Sequence, residues 1–365
     1  NDTVLVMPVN QKPRVAHLAR ALGRKFNKVD EAQVGQIIAL EKIDYLENNQ
    51  TISDVMNGFY FVPVTRPEPQ ISLAVVAKER GAEDKIAEAL TKMRQEDANI
   101  SYKVVKDTKQ LVLSGMGQFH LEILKKKIER KYNVTFDLEA PRVTYKEAFK
   151  KTVEAQGKYK KQTGGHGQYG DCWIRVTPTA RDSGFEFLDE VKGGAIPRNF
   201  IPSVEKGVRE ALEQGFIAGY PMIDFKAAVY DGSYHDVDSS DMAFKVAGSM
   251  AFKKCMETAN PVLLEPIMNV EIRVSLDYMG SIIQDLNSRR GRVLGMEAIG
   301  DQQIIKALVP QAEMLTYDNT LQGITQGSGY FTMKHKAYEE APPLVANKVI
   351  EAYKRSKGTA EKEPA

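Results

Sequence analysis

Ile71-Ser72-Leu73-Ala74-Val75-Val76-Ala77 is an apolar, strand-like run, and the pattern that follows it decides the fold. Hydrophobic spacing predicts a helix over 82–94, strands over 102–105 and 110–113, a helix over 118–132 and a strand over 134–138. In the second helix Leu121, Leu124 and Ile128 share one face. The adjacent Lys125-Lys126-Lys127 is read most simply as its solvated side. The order β-α-β-β-α-β is that of the split-βαβ, ferredoxin-like sandwich. It recurs downstream with little sequence identity between the copies. There the spacing predicts a strand over 267–274, a helix over 279–289, strands over 292–297 and 303–309, a helix over 312–321 and a strand over 330–334.

The stretch between these modules mixes strands with two helices. Val204, Val208, Ala211 and Leu212 lie on one face of the first. The second carries Phe244, Ala247, Ala251, Phe252 and Cys255, is apolar on most sides, and is expected to be buried, with Asp238 as its N-cap. Two polar loops stand out. One is Gly164-Gly165-His166-Gly167-Gln168-Tyr169-Gly170, preceded by Lys158-Tyr159-Lys160-Lys161. The other is Tyr230-Asp231-Gly232-Ser233-Tyr234-His235-Asp236-Val237-Asp238. Glycines let a backbone approach a polyanion, amides and lysines bond phosphate oxygens, and aromatics stack on bases. Either loop alone is explained as a hairpin turn.

The chain has 365 residues, enough for two to four domains, with 42% hydrophobic and 27% charged residues, as in soluble globular proteins. No apolar run reaches the length of about eighteen residues needed for a membrane-spanning helix. A net charge of +2 excludes a uniformly basic coat but permits local patches. Cys172 and Cys255 are too few for a disulfide framework, which fits a reducing cytoplasm. His17, His120, His166, His235 and His335 show no metal-ligand spacing. Ser239-Ser240 with Asp238 and His235 suggests a hydrolase only superficially, because no G-x-S-x-G elbow exists and helix-capping explains Asp238 and Ser239. Cys172, in a strand-like run, reads as core rather than nucleophile. Asn27-Lys28-Val29-Asp30 fits N-K-x-D, but no phosphate loop precedes it, so it reads as coincidence.

Together the two loops resemble the tip loops of the fourth domain of elongation factor G. Ser114-Gly115-Met116-Gly117-Gln118-Phe119-His120-Leu121-Glu122-Ile123 is similar to a motif of that family's third domain. Tyr278-Met279-Gly280, Asp285-Leu286-Asn287 and Arg289-Arg290-Gly291 are similar to one of its fifth. The resemblance runs from about Lys12 to Tyr353. The family usually has Arg at the positions of His166 and Ser328, and Glu-Leu at those of Gln118 and Phe119. These choices, with Gly170-Asp171-Cys172-Trp173, resemble the second, elongation-factor-G-like paralogue group.

The resemblance implies an α+β multidomain chain. Residues 1–67 would be part of a β-barrel, the family's second domain; 68–141 and 265–343 would be ferredoxin-like. Residues 142–264, joined by a helix over 344–357, would form an α+β tip domain, and the polar tail from Gly358 to Ala365 is expected to be disordered. Half a barrel cannot close its sheet, so the chain is expected to begin inside a domain of a longer protein. Short, proline-marked boundaries near Pro67, Pro141 and Pro266 are expected to act as hinges. The implied role is to contact the ribosome and RNA during tRNA–mRNA translocation, with ribosome recycling or ribosomal protection as alternatives. The intact Tyr230-to-His235 loop speaks against ribosomal protection. Gly165, His166, Gly167, Gln168, Tyr169, Tyr234, His235 and Asp236 would contact tRNA and mRNA. Asn287, Arg289 and Arg290 would face ribosomal RNA, although a helix end with two arginines equally fits compensation of the helix dipole. The expected partners are the ribosome, ribosomal RNA and tRNA–mRNA, with no membrane, and the chain is expected to be a monomer. No cofactor is expected in this chain; GTP and magnesium would belong to a GTPase domain outside it. A hydrolase of unknown type would need a triad that the sequence does not offer. Calorimetric titration of this chain with GTP and magnesium is therefore expected to show no saturable binding; micromolar binding would refute that expectation.

Overall fold

The computed structural model describes residues 2–23, 25–41, 43, 46–54, 58–161 and 167–360, with side-chain surroundings given through residue 355. The chain divides into two compact units. One comprises Asn1–Ile71, Val76–Tyr102 and Leu113–Asp137; the other comprises Ser72–Val75, Lys103–Val112 and Leu138–Ala365.

The first residues form two small antiparallel sheets. β1 (Leu5–Met7) pairs with β5 (Thr51–Ser53). β2 (His17–Leu22) lies between β3 (Lys25–Val29) and β4 (Ala39–Glu41). Val34 to Leu40 is an apolar run that reads as a strand, but only its last residues join one. Val34 and Gly35 form a turn, Gly35 takes a positive φ that breaks an extended run, and Val34 and Ile37 are exposed. The Asn27-to-Asp30 motif lies at the end of β3, with Asn27 opposite Arg20.

The next elements follow the split-βαβ order: β6 (Ile71–Ala77), α1 (Glu83–Glu96), β7 (Ser101–Val105), β8 (Gln110–Gly115), α2 (Gln118–Tyr132) and β9 (Phe136–Glu139). The sheet order is β7-β8-β6-β9. α1 buries Ile86, Ala89, Leu90 and Met93, and α2 buries Leu121, Leu124 and Ile128, the face given by the spacing. Asn133 ends α2 in the left-handed conformation, a common helix stop. Lys125 pairs with Asp137 at 2.9 Å.

In the second unit, β11 (Val153–Lys161), β12 (Gln168–Pro178), β14 (Phe225–Ser233) and β13 (Phe185–Asp189) make one sheet in that order. α3 (Ile201–Gln214) connects β13 to its parallel neighbour β14, and α4 (Asp241–Thr258) follows β14. Val204, Val208, Phe225, Val229, Phe244 and Phe252 form the centre of the shared core. α4 rests directly on β11 and β12. A Cβ at Gly157 would lie 2.0 Å from the Ala247 carbonyl oxygen, and one at Gly170 would lie 2.5 Å from the Ala243 backbone. Only glycine allows this approach. The N-cap of α4 is Ser240, whose Oγ accepts the Ala243 N–H at 3.2 Å, and not Asp238.

β15 (Pro261–Ser275), α5 (Met279–Ser288), β16 (Arg292–Ile299), β17 (Gln302–Pro310), α6 (Gln311–Met314), α7 (Tyr317–Thr325) and β18 (Tyr330–Glu340) complete the second ferredoxin-like module. The helix expected over 312–321 is broken into α6 and α7 at Leu315 and Thr316. Pro266 marks no break in the chain. It lies inside the fifteen-residue strand β15, opposite Tyr338, while β10 (Lys146–Phe149) pairs with the first four residues of that strand. α8 (Pro343–Ala360) packs Val345, Ala346, Val349 and Ile350 against Val143, Tyr145 and Ala218. The helix thus runs past Gly358; of the expected tail, 361–365 lie outside the described residues. No helix among the described residues is long and apolar enough to cross a membrane.

Glu147, fully buried on β10, holds the turn after α3. Its Oε2 accepts the N–H groups of Phe216 and Ile217 at 2.7 and 3.0 Å, and its Oε1 those of Ala218 and Tyr220 at 2.8 and 3.1 Å. An amide in its place would turn an NH₂ toward backbone donors. Glu147→Gln is therefore expected to destabilise this unit by about 2–4 kcal/mol. Denaturant unfolding, with hydrogen exchange at residues 216–220, would measure the loss; an unchanged midpoint would refute the role.

Candidate nucleic-acid interface

β11 and β12 form a hairpin that ends at Lys161 and Gln168, and the loop from Tyr234 to Ser240 connects β14 to α4. Two backbone N–H groups of the hairpin, both bonded to Asp238, bring these ends together. The Tyr169 N–H donates to the Asp238 carbonyl at 2.7 Å, and Tyr169 bridges Ser239 in parallel register. The Gly167 N–H donates to Asp238 Oδ1 at 2.9 Å across 71 residues of sequence. The expected tip residues Gly167, Gln168, Tyr169, Tyr234, His235 and Asp236 are thereby brought together at one end of the sheet; Gly165 and His166 lie outside the described residues.

Their surroundings differ. Gln168, Tyr234, His235 and Asp236 are exposed, whereas Gly167 and Tyr169 are half-buried. The Tyr169 hydroxyl is committed to the protein. It donates to Ser233 Oγ at 2.7 Å, and Ser233 Oγ donates to Asp171 Oδ2 at 2.7 Å. Gln156 Nε2 donates to Asp171 Oδ1 at 2.8 Å, so the buried Asp171 carboxylate anchors the relay. The Tyr169 ring lies 5.7 Å from the Lys158 ammonium and 6.4 Å from the His235 ring, measured to centroids. Lys158 and Lys160 stand opposite Asp171 and Tyr169 across the hairpin.

The His235 ring also shapes its own turn. Nδ1 accepts the N–H groups of Val237 and Asp238, both at 3.3 Å, and the His235 N–H donates to Ser239 Oγ at 2.9 Å. The side chain is nevertheless 58% exposed. Farther along the same sheet face, Arg175 and then Tyr230 bond Glu154 and hold its carboxyl below the usual range.

Asn287, Arg289 and Arg290 do not form one outward surface. Asn287 is exposed. Arg289 bonds Asp285 Oδ2, the Glu313 carbonyl and Thr320 Oγ1 at 2.8, 2.7 and 2.9 Å, and its guanidinium lies 5.1 Å from the Tyr317 ring centroid. Arg290 grips the buried Glu265 with two bonds, at 2.7 and 3.0 Å, and bonds Glu313 at 3.1 Å. Both guanidiniums staple the end of α5 to its surroundings, because each planar fork finds several acceptors inside the fold.

Asp171, Ser233 and Asp238 are the residues that sequence reasoning passed over or cast as a helix cap. Ser233 and Asp238 lie within the second loop motif, but their partners lie in the first, and linear spacing carries no sign of that. Among the described residues no three His, Cys, Asp or Glu side chains are placed to hold a metal ion.

Three family models match in chain order: Elongation Factor G, domain III, over residues 66–140; Elongation factor G, domain IV, over 141–260; and Elongation factor G C-terminus over 262–349. The chain belongs to the elongation factor G family. The joined loops fall in its domain IV match. A crystal structure of a protein from Thermus thermophilus is similar along 97% of this chain, with a TM-score of 0.83 and 38% identity. The chain spans about half, 53%, of that protein's length.

Within this domain IV both thiols are inert. Burial first, and then the Asp171 charge, pushes Cys172 up to about 12, and burial pushes Cys255 up to about 12. The thiolate fraction near pH 8 is then on the order of one in ten thousand. Ellman's reagent is expected to leave the native chain unmodified and to titrate both cysteines in guanidinium. Rapid modification of the native chain would refute this.

Proposed function

We propose that the joined loops of domain IV form an RNA-holding tip, and that in the intact factor this tip supports tRNA–mRNA movement on the ribosome. The observation that carries the proposal is the convergence of exposed Gln168, Tyr234 and His235 with Lys158 and Lys160 at one end of the sheet. Cations meet phosphates there, while the exposed ring can stack on bases and the Gln168 NH₂ can bond their edges, its Oε1 accepting the Tyr159 hydroxyl at 3.2 Å. Tyr169 has a supporting part, since its hydroxyl is occupied by Ser233. GTP, magnesium and the hydrolytic step would belong to residues outside this chain. The partners would be ribosomal RNA, tRNA and mRNA.

The two nitrogens of His235 separate structure from contact. Nδ1 serves the turn, and Nε2 has no partner among the described residues. Asn places an acceptor near Nδ1 and leaves nothing at Nε2; Gln places a donor near Nε2. In the intact factor, His235→Asn is expected to slow translocation about tenfold or more, with melting and ribosome-stimulated GTP turnover nearly unchanged. His235→Gln should retain most of the rate. Paired assays of GTP turnover and translocation on the same ribosomes decide the matter. If both rates fall together in His235→Asn, His235 does not act as an RNA contact.

A further inference from the structure

We propose that Asp238 is the positioning residue of the tip: it latches the two loops together and fixes His235 with its Nε2 hydrogen directed away from the protein. The inference rests on the RNA-holding reading for its purpose, but not for its geometry.

Asp238 takes part in four contacts at the point where the loops meet. Its Oδ1 accepts the Gly167 N–H at 2.9 Å, and its carbonyl accepts the Tyr169 N–H at 2.7 Å. Its own N–H donates to His235 Nδ1 at 3.3 Å, and its Oδ2 lies 3.7 Å from the same nitrogen. The first two hold the hairpin that carries Gln168 and Tyr169, and the N–H bond to Nδ1 holds the turn that carries Tyr234 and His235; Oδ2 accepts nothing from that nitrogen. One residue therefore touches both loops, beside the separate Tyr169–Ser233 bond.

The N-cap of α4 is the neighbouring Ser240, so Asp238 is not needed to start the helix. Its carboxylate is half-buried rather than presented to solvent, and it faces Gly167 closely. A Cβ on Gly167 would lie 2.8 Å from Oδ2, so glycine at 167 makes room for this carboxylate. The tautomer of His235 follows from the same contacts. A nitrogen that accepts two N–H groups carries no hydrogen, so the ring hydrogen lies on Nε2. The tip thus offers a donor that suits the acceptors of RNA, namely phosphate oxygens, 2′-hydroxyls and base carbonyls. A carboxylate this close to a phosphate-binding surface would repel its ligand if free. With Oδ1 bonded to Gly167, it organises the surface from behind.

The test uses the whole chain labelled with ¹⁵N-glycine and ¹⁵N-histidine, as the parent protein and as Asp238→Ala, Asp238→Asn and Gly167→Ala. In the parent, His235 should show one pyridine-type and one pyrrole-type nitrogen, and the Gly167 amide should be shifted downfield and slow to exchange. Asp238→Ala should abolish the Gly167 signature and displace the His235 resonances as the two loops separate, while the retained backbone N–H groups of residues 237 and 238 keep the ring hydrogen on Nε2. Asp238→Asn retains an Oδ1 acceptor and should rescue the Gly167 signature. Gly167→Ala, with Asp238 intact, should displace the His235 resonances by crowding the carboxylate. If Gly167 and His235 keep their parent signatures in Asp238→Ala, the latch is overturned. The second arm titrates the same proteins with a tRNA anticodon stem–loop, followed through Trp173, the only tryptophan of the chain. Asp238→Ala should weaken binding about tenfold, and Asp238→Asn should restore it to within about threefold. If the signatures are lost in Asp238→Ala while stem–loop affinity stays at the parent value, the latch stands and the RNA-holding reading fails.

Discussion

The middle domain depends on backbone packed directly against backbone. At Gly157 and Gly170 no side chain separates the β11–β12 hairpin from α4. Close packing without side chains leaves little freedom to slide, because any added atom has no space to enter. The hairpin and the helix are therefore held in one register. The loop that precedes α4 then ends beside Gly167 and the start of β12. Buried apolar residues of α3, α4 and the sheet stabilise the arrangement, and Phe225, Phe244 and Phe252 are the largest of the fully buried ones. The glycines decide where that volume is placed.

Given that register, the tip becomes a matter of hydrogen bonding. The hairpin end has backbone donors at Gly167 and Tyr169, and Asp238 supplies an acceptor to each. The buried Asp171 fixes Ser233 and, through it, Tyr169. Polar groups in the floor of the tip are thus satisfied internally, as buried polar groups must be. Those at its rim, on Gln168, Tyr234 and His235, lie on exposed side chains, although Gln168 Oε1 accepts the Tyr159 hydroxyl and His235 Nδ1 serves its own turn. Division between an internally satisfied floor and an open rim is what a preorganised contact surface requires. The second ferredoxin-like module follows the same logic in ionic form. Arg290 neutralises the buried Glu265 on β15, and Arg289 fastens α5 to α7. Charges that the motif alone would send outward are consumed by the fold.

Both ferredoxin-like modules were legible because their evidence is local. Leu121, Leu124 and Ile128 recur at helical spacing, and the strands are short apolar runs between polar turns. Boundaries set by neighbours were not legible. The run over 34–40 is apolar enough for a strand, yet only Ala39–Glu41 finds a partner, opposite β2. Pro266 looked like punctuation, but β15 continues through it. A proline lacks only one N–H, and its neighbours in the strand still pair with β17 and β18. The N-cap of α4 moved from Asp238 to Ser240 because a distant loop had already engaged the aspartate.

The sequence by itself determined the order of elements, the family and the two loops that carry the candidate contacts, since periodicity and motif composition are properties of neighbours along the chain. Tertiary structure alone decided which polar atoms of those loops are free. Tyr169 and Asp238 lie within the same motifs as Gln168 and His235, and nothing in their spacing distinguishes scaffold from rim. A hydrogen bond needs a partner within about 3 Å, and the partners that bind Gly167, Tyr169 and Arg290 are remote in sequence and meet only when the chain has folded.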